Sequence, residues 1–192
     1  MLASAKEVVA VSDEHGFRDS LAIGNIMRGW ALGAVGHPLE GIPLLLRGLT
    51  MRRAAGAKVL TSFFLTTLAE VYGKATQPKE GLNRLSEAIE LLDTTRERWA
   101  EAELHRLRGT LLESMRQPIG AEESYRSALA VARRQSAKFW ELRAALDLAR
   151  LWYDQGKYTE ARDLLGPVYN WFTEGLDTSV LQDAKALLDQ LT

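Results

Sequence analysis

Arg106, Arg143 and Arg150 are the residues of this 192-residue chain whose type comes nearest to a ligand-binding set. Each guanidinium offers a planar fork of donors, and three together would clamp a carboxylate or a phosphate. Other constellations fall short of chemistry. Gly73-Lys74 and Gly156-Lys157 are followed by Ala75 and Tyr158, where a phosphate-cradling loop needs serine or threonine. His15 and His37 fall in predicted turns. His105 has Glu101 one helical turn before it, which reads as a surface ion pair. Scattered histidines in a chain without cysteine give no metal site, and no cofactor is expected. The carboxylate pairs Glu122-Glu123 and Glu101/Glu103 read as acids at helix starts or on exposed faces, where the helix dipole favours them. Arg52-Arg53 and Arg133-Arg134 stand near helix C-termini for the same reason. No catalytic constellation survives, so an enzyme is not expected.

Composition narrows the partners. A net charge of −1 gives no global basic field for nucleic acid or an anionic membrane, and neither is expected as a partner. Hydrophobic content of 46% with 26% charged residues fits a folded chain. The absence of cysteine suits a reducing compartment. No apolar run approaches the roughly 18 residues of a membrane span. The opening MLASAKEVVAVSDEHG does not read as a signal peptide, so a cytoplasmic protein is expected.

The elements that position the arginines repeat every 40 residues. Pro38, Pro78 and Pro118 share one register. Small residues follow at Gly41, Gly81, Ala121 and Ala161, and larger ones at Leu45, Leu85, Tyr125 and Leu165. Offsets of 0, 4, 7 and 8, as in Ala121, Tyr125, Ala128 and Leu129, fall on one helix face. The prolines suit a first helical turn, and Gly36 can end the helix before Pro38. The spacing predicts an all-α chain of ten helices at roughly 2–14, 18–35, 38–55, 58–75, 78–94, 98–115, 118–135, 138–155, 157–174 and 178–191. A period of this size means stacked helix pairs, an α-solenoid of antiparallel hairpins. The chain is read as one repeat domain, 1–192. It holds a lone helix (1–16), four pairs (17–56, 57–96, 97–136, 137–176) and a capping helix (177–192) whose N-cap falls at Asp177, Thr178 or Ser179. Pro43 and Pro167 lie inside helices and are expected to bend them. Helix 2–14 matches the second helix of a pair whose first is missing, which reads as a truncated chain.

The small-aromatic-small pattern resembles the tetratricopeptide repeat. GTLLESMRQPIGAEESYRSALAVARR (109–134) carries it best, with Gly109, Ala121, Tyr125 and Ala128 on the motif's small and aromatic positions. The unit is 40 residues instead of about 34, and His105 stands at the motif's tryptophan position. Longer stretches, among them ERWAEAELHRLRGTLL (97–112) and LRAALDLARLWYDQGK (142–157), resemble the C-terminal repeat region of bacterial multidomain regulators. Those proteins join a class III adenylate/guanylate cyclase domain or a DNA-binding domain to a P-loop ATPase and then to such repeats.

The tetratricopeptide resemblance implies a binding groove lined by the first helix of each pair. It places Ile26 and Trp30 there first, then Phe63, Thr66, Glu70 and Lys74. Glu103, Arg106, Thr110 and Glu113 follow, with Arg143, Arg150 and Tyr153 last. Trp30, next to the small Gly29, is the aromatic expected to touch a ligand. Trp152 occupies a core repeat position, and Trp99, Trp140 and Trp171 are expected to pack between units. The resulting expectation is a non-enzymatic protein- or peptide-binding module, regulatory within a larger bacterial signalling protein, with the upstream ATPase or cyclase domains as its partner. A small-molecule sensor using the same groove is the alternative. A self-association scaffold, dimerising through the uncapped N-terminal helix, is a further one.

Overall fold

The structure is a computed structural model and describes residues 2–191, so the ends of the expected domain, Met1 and Thr192, lie outside the described residues. Ten α-helices and no strand occur among the described residues. They are α1 (Leu2–Glu14), α2 (Arg18–Ala34), α3 (Pro38–Ala54), α4 (Thr61–Lys74), α5 (Pro78–Thr95), α6 (Glu101–Ser114), α7 (Pro118–Arg134), α8 (Lys138–Asp154), α9 (Tyr158–Tyr169) and α10 (Ser179–Gln190). They form two compact units, α1–α5 up to Arg98 and α6–α10 from Trp99.

The helices end on a shared device. Gly16, Gly36, Gly56, Thr76, Arg96, Arg116, Ser136 and Gly156 stand 20 residues apart, and every one has a left-handed backbone. The residue after most of them returns its N–H across the helix end: His37 to the Leu32 carbonyl at 2.8 Å, Gln77 to Tyr72 at 2.9 Å, Gln117 to Leu112 at 3.0 Å, Lys157 to Trp152 at 2.9 Å. These bonds satisfy carbonyls that a helix end leaves open. Pro38, Pro78 and Pro118 then occupy the first turn of the next helix, as their register predicts.

In the first unit, α2 and α3 approach until backbones touch. Gly29 and Gly41 face each other, and Gly48 lies against the Ala22 carbonyl. Ile26, Leu45, Leu65, Leu68, Leu85 and Ala88 fill the interior. Arg52 stands in the last turn of α3, as expected, and is buried there. Its guanidinium donates to Asp19 at 2.6 Å and to the Val59 carbonyl at 2.8 Å, and it lies 5.3 Å from the centre of the Phe64 ring. One side chain thereby fastens the end of α3 to the start of α2 and to the loop before α4. That loop shortens α4, which begins three residues later than predicted. Leu60 takes a left-handed backbone there, and its N–H goes to Glu97.

In the second unit, Tyr125, Leu142, Leu148 and Leu165 form a continuous core closed by Leu181, Ala184 and Leu187 of α10 and by Leu191 just after it. Gln182, Asp183, Lys185 and Asp189 face water on its other side, the pattern that ends a stack. Thr178 is the N-cap of α10, but its hydroxyl turns back to the Gly175 carbonyl at 2.7 Å and makes no cap bond. Trp152 is buried in the core, and Trp140 packs on Ala102, Val131 and Ala132. Trp99 and Trp171 are about half exposed, at 46% and 57%, against the expectation of packing between units. Each lies off a helix: Trp99 precedes α6, and α9 stops at Tyr169, two residues after Pro167 removes a backbone donor.

Candidate binding groove

The thirteen groove positions divide between the units, and burial separates them further. In the first unit Ile26 is completely buried, and Thr66 is buried with its hydroxyl on the Ser62 carbonyl at 2.8 Å, so neither offers surface to a ligand. Phe63 is half-buried beside Phe64, with ring centres 5.9 Å apart. Trp30, Glu70 and Lys74 are drawn together. The Trp30 indole N–H donates to Glu70 at 3.1 Å, and the Lys74 ammonium reaches the other oxygen of Glu70 at 2.8 Å. The tryptophan lies one 40-residue period before its acceptor, so this bond links α2 to α4 at equivalent repeat positions. A separate 450 Å³ cleft between the ends of α1 and α3 and the start of α2 is lined by none of the thirteen.

In the second unit the positions converge. Alternate helices α6, α8 and α10 carry three adjoining depressions of 460, 440 and 290 Å³, and Arg150 lines all three. The first holds Arg106, Thr110, Glu113, Tyr125 and Asp147. The second has Phe139, Leu146 and Val180 beside Arg143 and Asp183. Tyr153 borders the third, its ring edge-on to Tyr158 at 5.2 Å.

Two of the three arginines are already committed. Arg106 donates twice to Glu103, from Nε and Nη2 at 2.8 Å each, and once to Asp147. Arg143 reaches the same Glu103 at 2.9 Å. Glu103 and Glu101, expected at helix starts or on exposed faces, do stand in the first turn of α6 but are both buried. Burial by itself would lower the Arg106 pKa. The bonds and charges of Glu103 and Asp147 outweigh it and hold the guanidinium more firmly protonated than usual. A ligand anion would have to take Arg106 from buried Glu103 and half-buried Asp147 and strand them, so the three-arginine clamp is occupied by the protein's own acids. Arg150 is held more loosely, 3.3 Å from Asp183 and 3.9 Å from Asp147.

Glu113 is the opposite case. It accepts the Tyr125 hydroxyl at 2.7 Å and has no ion-pair partner among the described residues. Burial pushes its carboxyl up. The Tyr125 bond pulls it down, Asp147 and Asp154 raise it further, and Arg150 opposes them. Tyr125 is itself buried, and its hydroxyl also lies 3.4 Å from the Thr110 oxygen. The repeat register does not point to Asp147 and Asp183. The signal for Asp147 lay within α8, since it stands one turn from both Arg143 and Arg150 on the same face. His105, expected as a surface residue, is half-buried, and that burial lowers its pKa against the opposing charge of Glu101. No group of three metal-ligating side chains occurs among the described residues, and none of their helices is long and apolar enough to cross a membrane.

No protein-family model and no curated protein matches the sequence. Solved structures do match. The crystal structure of BtubC (BKLC) from P. vanneervenii is 15% identical over 99% of this chain and 87% of its own, with a TM-score of 0.77. A Podosopora anserina protein of nearly identical TPR-like repeats is 19% identical over 87% of this chain and 82% of its own, at 0.65. Rap protein, solved in complex with Competence and Sporulation Factor, is 14% identical over 90% of this chain and 54% of its own, at 0.74. These likenesses establish the fold as a tetratricopeptide-like α-solenoid.

Proposed function

We propose that this chain is a non-enzymatic, protein- or peptide-binding helical repeat module whose binding face is the groove over α6, α8 and α10. The observation that carries this reading is the run of three adjoining depressions that share Arg150, on the helices where the repeat register places a groove. The depressions adjoin and share lining residues across α6, α8 and α10, which suits an extended chain better than a compact metabolite. Rap protein supports the reading from outside, since a protein of this fold was solved complexed with a factor. The test is a peptide array covering the proteins of the source organism, probed with the full chain and with an Arg150→Ala/Asp183→Ala variant. Peptides retained by the first and lost by the second support the reading. An array that retains nothing, or both equally, overturns it.

The wider role follows from sequence resemblance. The module is the regulatory repeat region of a bacterial cytoplasmic signalling protein, and upstream ATPase or cyclase domains are its partner. The size of the native protein tests this. A band near 21 kDa in an extract, the mass of this chain, removes the multidomain reading, and one several times larger supports it.

A further inference from the structure

We infer that the groove of the second unit takes an extended peptide that presents a lysine or arginine side chain to Glu113 and an apolar side chain to Leu146. This rests on the peptide-binding reading above and names the class of peptide. The argument is charge complementarity. Glu103 and Asp147 are matched by Arg106 and Arg143. Of the remaining groove carboxylates, Asp183 pairs with Arg150, while Glu113 and Asp154 have no ion pair among the described residues. Asp183 and Asp154 stand in open water, where hydration compensates them, but Glu113 sits half-buried at the wall of the Arg106/Tyr125 depression with a hydroxyl as its sole donor. A peptide cation would supply the missing charge in a site partly withdrawn from solvent, where a charged hydrogen bond is strongest.

The adjoining depression is of different character. Phe139 is half exposed, Leu146 forms a buried floor and Val180 is half-buried beside them. The two depressions share Arg106, Asp147 and Arg150 as a common wall. In an extended chain, side chains two residues apart point to the same side with about 7 Å between them. One strand laid across this shared wall would offer a basic residue to one depression and an apolar residue, in an i, i+2 relation, to the other.

The test titrates the full chain by fluorescence anisotropy with labelled, end-blocked hexapeptides on a Ser-Gly background. Each carries leucine two positions from lysine, in either order, and a matched series replaces the lysine by norleucine or glutamate. The lysine peptide is expected to bind at least ten-fold more tightly than the norleucine one. Glu113→Gln keeps an acceptor for Tyr125 and should abolish most of that ratio, chiefly by weakening the lysine peptide. Asp154→Asn, at an exposed position, should reduce it less and serves where Glu113→Gln perturbs the circular dichroism spectrum. Peptides that bind with no preference for lysine, or with one for glutamate, overturn this inference and leave the peptide-binding module intact. No binding by any hexapeptide at millimolar concentration also overturns it. The peptide array then decides whether the broader reading falls with it.

Discussion

Gly29 of α2 and Gly41 of α3 meet backbone to backbone: a Cβ placed on Gly29 would stand 2.5 Å from the Gly41 carbonyl oxygen, and one on Gly41 would be closer still to the Gly29 carbonyl. Neither neighbour can retreat, because both are main-chain atoms of packed helices. Gly41→Ala should therefore destabilise the protein by about 3 kcal/mol, the upper range for overpacking a core. Gly120, inside α7, is the control. A Cβ there would meet Leu112 at 3.4 Å, an ordinary contact. Gly120→Ala should stabilise by about 0.5–1 kcal/mol through helix propensity. Urea unfolding of the two variants checks both signs. A tolerated Gly41→Ala would mean that α2 and α3 are not held this closely.

The 20-residue spacing of left-handed helix ends gives a second prediction. Gly36 accepts that backbone without strain, whereas Thr76 places a β-branched residue in it, at φ 57°. Thr76→Gly should raise stability by about 1 kcal/mol, and Gly36→Ala should lower it by a similar amount. Thermal unfolding of the pair decides the matter, since a purely side-chain account of residue 76 predicts a loss.

Those turns also show where the sequence stopped being legible. The 40-residue period, the prolines at helix starts and the apolar face of α10 fixed the helix count and pairing pattern, because they are written in residue type. The 20-residue period is not. Four of its eight positions are glycine, but Thr76, Arg96, Arg116 and Ser136 hold the same backbone with side chains that give no hint of it. The groove divides in the same way. The tetratricopeptide resemblance put Arg106, Arg143 and Arg150 on one face, yet what they do there depends on Glu103, Asp147 and Asp183. Arg106 and Asp147 are 41 residues apart, a pairing that depends on how α6 and α8 pack and not on local pattern. The arginines suggested an anion site, and their partners reverse its sign. Ile26 and Thr66 fail for a related reason: register gives a helix face, while burial depends on which neighbour covers it.

Arg106 then makes a prediction of its own. It joins Glu103 on α6 to Asp147 on α8, with all three side chains withdrawn from water. Arg106→Ala leaves buried Glu103 with Arg143 alone and half-buried Asp147 with the looser Arg150, and should cost about 3 kcal/mol, the lower end for breaking a buried pair. Arg106→Lys keeps the charge but cannot make the paired bonds to Glu103, and should recover only part of that loss. Equilibrium unfolding measures both. A loss under about 1 kcal/mol for the alanine variant would show the network to be no better than a surface ion pair.

Two glutamates of the second unit should respond to pH with opposite signs. Burial alone would raise the Glu141 pKa, but Lys138 at 2.7 Å and Arg133 at 2.9 Å outweigh it and hold the carboxyl below its ordinary value. A carboxylate depressed by folding stabilises the native state above its unfolded pKa, and that contribution is lost as pH falls through the folded one. Glu141→Gln should thus cost about 1 kcal/mol at pH 7, since both cations are partly exposed and solvent screens them, and the difference should close below about pH 4.5. Burial shifts Glu113 upward, so its ionisation disfavours the folded state near neutrality and its protonation removes the penalty. Glu113→Gln, which resembles the protonated form, should be more stable than the parent at pH 7 by less than about 1 kcal/mol, the half-buried carboxyl being partly screened. Its advantage should disappear as pH falls through the raised pKa, above the range in which Glu141 titrates. Melting temperatures of the two variants and the parent between about pH 2.5 and pH 8 give curves that diverge in opposite directions from a common acidic limit. A Glu113→Gln variant less stable than the parent at pH 7 would mean that this carboxylate already has a cation, and with it the opening for a basic peptide side chain would be gone.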